Sequence, residues 1–301
     1  MKHGTVSVGA VELNGPVLTA AGTSGLGAEL DEYGDLAELG GVVVKSLAAF
    51  AWAGNPAPRV ASWGDSMLNS VGLSGPGVDA WRRDYLPALT QANARTIASI
   101  WGRSVQEFAD AAAGLDGAEI CAIEINASCP NLEGRTGIFA HSASLTSEIV
   151  AAAKVTDFPL WVKLSPNTPE LVAIAEAALG AGADALVLTN TLLGMAIDTK
   201  SRRPILGNEV GGVSGQGIFP IALRAVYECR AAFPDVPLIG VGGIATGEDA
   251  IAMVMAGANA VEVGTAIFAD PRSPWRIQRE MLKWCEKNRT SLDELRGSAH
   301  G

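Results

Sequence analysis

The chain repeats one unit along most of its length: a short apolar run, a polar residue or glycine at its end, and then a stretch with helical spacing. The runs are Pro16–Ala20, Gly41–Lys45, Thr96–Ile100, Cys121–Asn126, Leu160–Leu164, Ala185–Asn190, Pro237–Val241 and Ala260–Gly264. The helical patterns between them include Val105–Ala113, Thr146–Ala153, Pro169–Leu179, Ile221–Phe233 and Gly247–Ala256. Strands that alternate with helices form a parallel sheet. About eight such units predict an α/β protein with a (β/α)8 TIM-barrel fold.

The competing architecture is a doubly wound sheet, which usually has fewer strands and a glycine fingerprint after its first strand. No such fingerprint follows Pro16–Ala20. Ahead of that run, Thr5–Leu13 alternates valines with small or polar residues and is followed by Asn14-Gly15. This pattern predicts an N-terminal hairpin that plugs the bottom of the barrel. We expect residues 1–301 to form a single barrel domain.

Two connections are too long for simple loops. One runs from Ala48 to Pro87 after the second strand, and the other runs from Leu192 to Gly217 after the sixth. Both leave carboxyl ends of strands, where barrel enzymes build their sites. Each is therefore a candidate lid.

Composition excludes several classes of protein. Hydrophobic residues make up 48% of the 301 residues, as in a well-buried α/β enzyme. The net charge of −10 argues against a general nucleic-acid or membrane-surface role, since both need cationic faces. The four cysteines are scattered without a CxxC pair, which argues against a zinc or iron–sulfur site and indicates a reduced, cytoplasmic setting. The sequence has no signal-peptide core and no apolar run of membrane-spanning length.

Polar groups stand where the predicted strands end, and in a barrel these ends converge on one mouth. They are Lys45, Ser99, Asn126, Lys163, Thr189 with Asn190, Gly242 with Gly243, and Gly264 with Thr265. Glycines after the seventh and eighth strands let backbone N–H groups approach a phosphate, although tight turns alone are an alternative reason for them. The pattern leaves open whether the phosphate belongs to a sugar phosphate or to flavin mononucleotide (FMN).

Lys45 and Lys163 lie at the ends of apolar strands, where an unpaired charge is costly. One interpretation is a structural ion pair. Glu124 shares strand parity with Asn126 and is a candidate partner for Lys163. The other interpretation is a cation beside a cofactor or substrate that gains negative charge during turnover. The two are compatible, and we favour a functional role for each lysine.

The segment Glu124-Ile-Asn-Ala-Ser-Cys-Pro-Asn131 brings a thiol, a hydroxyl and amides to the end of the fourth strand. Cys129 follows the strand end and precedes a proline, whereas Cys121, Cys229 and Cys285 fit the usual role of buried apolar fillers. A thiol in a polar loop acts as a general base if its pKa is lowered. Cys129 is therefore the candidate catalytic residue.

Within that segment, Asn126-Ala-Ser-Cys-Pro-Asn131 resembles the active-site motif of the class 1 dihydroorotate dehydrogenases. Further matches run in order along the chain: Val44-Lys-Ser46, Asn69-Ser-Val-Gly-Leu-Ser-Gly-Pro-Gly77, Trp161-Val-Lys-Leu-Ser-Pro-Asn167, Thr189-Asn-Thr-Leu192, Gly211-Gly-Val-Ser-Gly215, Gly240-Val-Gly-Gly-Ile244 and Val263-Gly-Thr-Ala266. The resemblance extends from about Pro16 to Pro271. Asn190-Thr-Leu-Leu-Gly194 and Ile267-Phe-Ala-Asp-Pro271 are most similar to class 1B, the NAD-linked branch.

The resemblance implies a barrel that binds FMN at its mouth and oxidises dihydroorotate to orotate in de novo pyrimidine (UMP) biosynthesis. Cys129 would take the C5 proton, and the C6 hydride would pass to flavin N5. The residues implied in substrate binding are Lys45, Asn69, Ser70, Val71, Gly72, Leu73, Asn126, Asn131, Asn190 and Thr191. Those implied in cofactor binding are Ala21, Gly22, Lys45, Ser46, Ser99, Asn126, Lys163, Thr189, Gly215, Gly242, Gly243, Gly264 and Thr265, with no metal ligand. Lys163 would lie near flavin N1–C2=O.

Similarity to class 1B further implies a homodimer, extended to a heterotetramer by a partner subunit that carries FAD and a 2Fe–2S cluster and passes electrons to NAD. The alternatives are a fumarate-dependent class 1A enzyme and a dihydropyrimidine dehydrogenase-like FMN barrel, whose substrate lacks the carboxylate. A non-catalytic phosphate-binding barrel would leave the lysines and asparagines at the mouth unexplained.

Two positions and one loop depart from the family pattern. Ser99 stands where family members usually carry Asn, and Ala21 stands where Ser is common. The loop Leu132–Ile138 differs from the more lysine- and glycine-rich version of the family. The first two departures each remove at most one hydrogen bond, of order 0.5–1.5 kcal/mol. They bear on the affinity for the flavin rather than on the identity of the cofactor.

Overall fold

The computed structural model describes residues 4–128 and 139–301 of the chain. The strands in this part are β1 (Val6–Val8), β2 (Val11–Leu13), β3 (Val17–Thr19), β4 (Gly41–Val43), β5 (Val60–Trp63), β6 (Ser66–Asn69), β7 (Thr96–Ile100), β8 (Ala122–Asn126), β9 (Leu160–Leu164), β10 (Ala185–Leu188), β11 (Leu192–Met195), β12 (Ile197–Asp198), β13 (Arg203–Pro204), β14 (Val210–Gly215), β15 (Leu238–Val241) and β16 (Ala260–Val263). Parallel pairing closes β3, β4, β7, β8, β9, β10, β15 and β16 into a barrel, in that order. These are the eight predicted strands, so the predicted barrel is confirmed.

Helices surround the barrel on the outside. They are α1 (Val78–Asp84), α2 (Leu86–Gln91), α3 (Val105–Ala113), α4 (Ala143–Ala153), α5 (Leu171–Gly180), α6 (Phe219–Ala232), α7 (Gly247–Ala256), α8 (Ala266–Ala269), α9 (Ser273–Asn288) and α10 (Leu292–Leu295). Local sequence fixes several helix starts. The side chains of Ser104, Ser142 and Thr246 accept hydrogen bonds from backbone N–H groups in the first turns of α3, α4 and α7. The five predicted helices are confirmed, with ends that differ by at most a few residues.

The N-terminal hairpin is also confirmed. β1 and β2 pair antiparallel, and the turn lies between Val8 and Val11 rather than at Asn14-Gly15. Val8, Val11 and Leu13 are buried in one cluster with Leu18 and other apolar side chains of the barrel interior. The hairpin therefore closes the end of the barrel opposite the carboxyl ends of its strands.

The two long connections fold together into a four-stranded antiparallel sheet of order β11-β14-β6-β5. The strand pair that joins them is β6 with β14, in which Asn69 lies opposite Gly212 and Ser66 lies opposite Gly215. The sequence did not predict these strands. The sheet stands at the carboxyl ends of the barrel strands, so it forms one wall of the barrel mouth.

Two apolar layers hold the barrel. The larger core packs the outer faces of the strands against the helices and includes Trp81, Phe108 and Phe139. The smaller core fills the lower barrel and includes Trp161 and Val187. None of the helices within the described residues has the length and apolar character needed to cross a membrane.

Candidate active site

A cavity of about 1200 Å³ opens at the carboxyl ends of the barrel strands, beneath the four-stranded sheet. The predicted site residues among those that line it are Ala21, Gly22, Lys45, Ser46, Asn69, Ser70, Val71, Gly72, Leu73, Asn126, Lys163, Thr189, Asn190, Thr191, Gly215, Gly242, Gly243, Gly264 and Thr265. These residues come from the ends of seven of the eight barrel strands and from both long connections. The fold therefore brings the predicted set together in one place.

Three predicted residues stand apart from this set. Cys129 and Asn131 lie outside the described residues, as does the loop Leu132–Ile138. Ser99 is fully buried and is not among the residues that line the cavity. Its Oγ lies 2.9 Å from the Oγ of Ser46, which does line the cavity. An influence of Ser99 on a bound group would therefore pass through Ser46.

A chain of side-chain hydrogen bonds crosses the cavity floor. The Nδ2 group of Asn126 donates to Ser46 Oγ at 3.2 Å, and its Oδ1 accepts from Asn190 Nδ2 at 3.1 Å. The backbone N–H of Ser128 also donates to Asn126 Oδ1, at 3.2 Å. Since donors and an acceptor surround the Asn126 amide, its orientation is fixed. Asn190 in turn accepts from the backbone N–H of Thr191 at 2.8 Å.

Two asparagines that the sequence did not single out support the walls of the cavity. Asn55 Nδ2 donates to Ser70 Oγ at 2.8 Å, and the backbone of Gly72 (φ +70°) passes close to Asn55. A Cβ on Gly72 would lie 2.4 Å from Asn55 Cγ, so only glycine fits there. Asn167 Nδ2 donates to the carbonyl of Thr191 at 2.9 Å. The signal for Asn167 was present, because it ends the motif that contains Lys163.

The glycine loops after β15 and β16 lie side by side at the rim. Gly243 has φ +75°, and a Cβ there would lie 2.6 Å from Phe219 Cβ at the start of α6. Close packing against a helix is therefore one reason for glycine at this position. Thr265 Oγ1 donates to Ser214 Oγ at 2.8 Å, which ties the last barrel loop to β14. Phosphate binding by these loops stays a prediction.

Lys163 rises from the barrel interior to the cavity floor between two carboxylates. Its Nζ lies 2.6 Å from Glu262 Oε2 and 3.7 Å from Glu124 Oε2. The Lys163 side chain is 6% exposed, and those of Glu124 and Glu262 are fully buried. The predicted partner Glu124 is thus joined by a closer one, Glu262, which the sequence patterns did not indicate. A carboxylate in the apolar run Ala260–Gly264 was the signal for Glu262.

Burial and the two carboxylates act in opposite directions on Lys163. Burial alone would lower the pKa of the Lys163 ammonium, but the carboxylates of Glu124 and Glu262 raise it above the ordinary lysine value. Burial, followed by the neighbouring charge of Glu124, raises the pKa of Glu262 well above the ordinary range of a glutamate. Lys163 is therefore a cation at neutral pH, and it is the member of this trio that reaches the cavity.

Two further cations reach the cavity from the rim. The Arg103 guanidinium lies over the rings of Phe50 and Trp52, 4.3 and 5.2 Å from their centroids, and it pairs with Glu107. Arg276 of α9 donates to the carbonyl of Ala245 at 3.1 Å, beside the glycine loop after β15. Sequence patterns did not mark either arginine, because each comes from outside the strand ends.

The chain is similar to proteins of known name over nearly its full length. A family model described as dihydroorotate dehydrogenase matches residues 4–284. A relative from Alkaliphilus metalliredigens, named "Dihydroorotate dehydrogenase B (NAD(+)), catalytic subunit", is 46% identical over 295 residues, which cover 97% of each chain. Relatives of the same name from Alkaliphilus oremlandii and Geobacter sp. strain M21 are 48% and 43% identical, over 90% and 98% of this chain and over 90% and 97% of their own lengths.

Proposed function

The chain belongs to the dihydroorotate dehydrogenase family, and from this we propose that it oxidises dihydroorotate to orotate with FMN as hydride acceptor, in de novo pyrimidine (UMP) biosynthesis. One observation carries the proposal. Residues expected for the substrate and for the flavin, drawn from seven of the eight strand ends and from both long connections, line a single cavity.

The residues of the cavity fit an FMN. The cavity volume of about 1200 Å³ lies above the ~300–1,000 Å³ typical of sites for drug-sized ligands. The cavity therefore has room for a nucleotide-sized cofactor and a substrate together. Thr189 Oγ1 is buried in the wall with no hydrogen-bond partner among the described residues, and a polar cofactor would supply one. Ala21, Gly22, Ser46 and Lys163 would surround the ring system, with Gly242, Gly243, Gly264 and Thr265 toward the phosphate.

The substrate would bind between the asparagines of the floor and the Asn69–Leu73 segment of the wall. Dihydroorotate carries ring amides and a carboxylate, which require both donors and acceptors. Asn126 and Asn190 offer amide groups whose positions are fixed by the hydrogen bonds between them. Lys45 lines the same cavity and would supply a positive charge for the carboxylate.

We assign Cys129 as the base that removes the C5 proton. The assignment rests on the motif Asn126-Ala-Ser-Cys-Pro-Asn131. The proton lies beside a carbonyl of the substrate ring, so a base held close to it is needed. Its removal leaves an electron pair that forms the ring double bond as the C6 hydride departs. A bound FMN supplies the hydride acceptor for this step.

The relatives' names point to the electron acceptor. Each of the three is called a catalytic subunit of an NAD(+)-type dihydroorotate dehydrogenase. We propose that this chain is likewise a catalytic subunit. As its resemblance to class 1B implies, it would form a homodimer that is extended to a heterotetramer by a partner subunit, which carries FAD and a 2Fe–2S cluster and reduces NAD. Fumarate is the alternative acceptor.

Substrate choice is tested by steady-state oxidation with an artificial electron acceptor. Dihydroorotate and dihydrouracil differ in the carboxylate that Lys45 would meet. The proposal predicts oxidation of dihydroorotate and little or none of dihydrouracil. Preference for dihydrouracil would overturn the substrate assignment. NAD and fumarate are then compared as acceptors, with and without a candidate partner subunit.

A further inference from the structure

Three ionisable side chains meet inside the barrel, just below the cavity floor. Lys163 Nζ contacts Glu262 Oε2 at 2.6 Å and Glu124 Oε2 at 3.7 Å. The strands β8, β9 and β16 that carry them are not all neighbours, so barrel closure is what brings the groups together. Only the Lys163 side chain of the three lines the cavity.

Few neighbouring groups offset the cost of burying these charges. Both glutamate side chains are fully buried. Within the described part of the chain, three of their four carboxyl oxygens have no hydrogen-bond donor: both oxygens of Glu124 and Oε1 of Glu262. The residues in register with the trio on neighbouring strands are uncharged: Leu18, Ser99, Asn126, Trp161, Val187 and Val241. Lys45 also lines the cavity above them.

Charge and hydrogen bonding then favour the same arrangement. Two ionised carboxylates beside one ammonium would leave a net negative charge in a site that water does not reach, which is costly. One proton held between the carboxyl groups removes that charge. It also gives a buried oxygen the hydrogen-bond partner that it lacks.

We infer that Glu124 and Glu262 share one proton within a trio of zero net charge, of which Lys163 is the member that reaches the cavity floor. The raised pKa of Glu262 agrees with a proton held at this pair of carboxyl groups. The consequence for catalysis rests on the proposed function: Lys163 presents positive charge at the place where the bound cofactor gains negative charge. With both carboxylates ionised, the trio would oppose that gain.

Infrared spectroscopy of the purified protein tests the shared proton directly. At about pH 8 ordinary carboxyl groups are ionised, since their pKa values lie near 4. A remaining carbonyl stretch of a protonated carboxylic acid would come from a buried group. We expect that band in the wild-type protein and its loss in both Glu124→Gln and Glu262→Gln, because the single remaining carboxylate pairs with Lys163.

Every other spectrum contradicts the inference. Absence of the band in the wild-type protein means that both carboxylates are ionised. Survival of the band in both variants assigns it to another residue. Loss in only one variant means that the proton belongs to one carboxyl group and is not shared. Absence of the band in the wild-type protein contradicts the inference even if a variant does not fold.

The midpoint potential of bound FMN provides the second readout. Each single Gln variant keeps one ammonium and one carboxylate, so its potential should stay close to that of the wild-type protein. A rise in potential in both variants would instead mean that each had lost a negative charge. Lys163→Met is the control that should lower the potential.

The two readouts separate failure of this inference from failure of the proposed function. The infrared band is measured on the protein itself and decides the proton whether or not FMN is bound. Absence of FMN from the purified protein would overturn the proposed function alone. An unchanged potential in Lys163→Met would overturn the electrostatic role of Lys163, and with it the effect of the trio on catalysis.

Discussion

Asn190 Nδ2 donates a hydrogen bond to Asn126 Oδ1 at 3.1 Å, which joins the end of β8 to the residue pair that follows β10. Asn126 Nδ2 in turn donates a hydrogen bond to Ser46 Oγ at 3.2 Å. The amide groups at the cavity floor thus hold each other in place before any ligand arrives. Such preorganisation is what a site needs to orient a planar heterocycle.

The Asn126 amide should therefore matter more to turnover than to folding. Asn126→Ala would remove the proposed substrate contact and take one hydrogen bond each from Ser46 and Asn190. Loss of ~1.5–3 kcal/mol of transition-state binding would lower kcat/KM by roughly 10- to 150-fold. Steady-state kinetics with dihydroorotate measures this effect. Ser99→Ala, one bond further from the cavity, is the control and should change kcat/KM by less than about tenfold. Equal losses in the two variants would contradict the special position of Asn126.

Replacement of the proposed base separates chemistry from binding. Cys129→Ala should reduce dihydroorotate oxidation by roughly 10²–10⁴-fold, the usual contribution of a general base. FMN should stay bound, since the thiol is assigned to the substrate. Cys129→Ser should retain slow turnover near neutral pH, because a hydroxyl is a weaker base without activation. Stopped-flow reduction of the bound flavin measures both. Near-normal rates in Cys129→Ala would remove the thiol from the mechanism.

A pair of glycine substitutions tests the loop after β15. Gly243→Ala would place a Cβ 2.6 Å from Phe219 Cβ at φ +75°. We expect a loss of ~1–3 kcal/mol in the free energy of unfolding and a lower FMN content after purification. Gly180→Ala in α5 has open space around the new methyl group and should instead gain ~0.5–1 kcal/mol with full FMN content. Urea unfolding and the flavin absorbance report the two quantities. An unchanged unfolding free energy and FMN content in Gly243→Ala would mean that the loop can shift to accept a methyl group at little cost.

Burial of the Cys229 thiol should make the folded protein lose stability at alkaline pH. Burial raises the pKa of this thiol from 9.0 to about 12. A raised pKa means that the folded protein binds this proton more tightly than the unfolded chain does. The resulting stability is complete below pH 9.0 and is lost as the pH rises toward about 12. Between about pH 8 and about pH 10.5, the wild-type protein should lose ~2 kcal/mol more unfolding free energy than Cys229→Ala. Parallel losses in both proteins would place the thiol in a less buried setting.

The strand ends were predictable because parallel barrel strands all present their carboxyl ends to one mouth. Lys45, Asn126 and Lys163 follow apolar runs that sequence patterns locate well, so their convergence followed from the fold class alone. Their motifs also matched those of a known family. For these residues, local pattern and tertiary position carry the same information.

The remaining contacts depend on pairings that no local pattern encodes. β14 is rich in glycine and has little strand propensity, yet it pairs with β6 from a connection far away in sequence. Glu262 meets Lys163 only because the last strand closes the barrel. Arg276 reaches the rim from a helix on the outside of the barrel. Each of these positions is set by tertiary packing rather than by its own segment.

The most direct test of the proposed activity is the absorbance spectrum of the purified protein during anaerobic addition of dihydroorotate. We predict a flavin band that bleaches as dihydroorotate is added, with one orotate formed for each flavin reduced. This single titration reports the cofactor, the substrate and the reduction of the flavin by the substrate together. A protein without a flavin band, or a bound flavin that stays oxidised in excess dihydroorotate, would contradict the assignment.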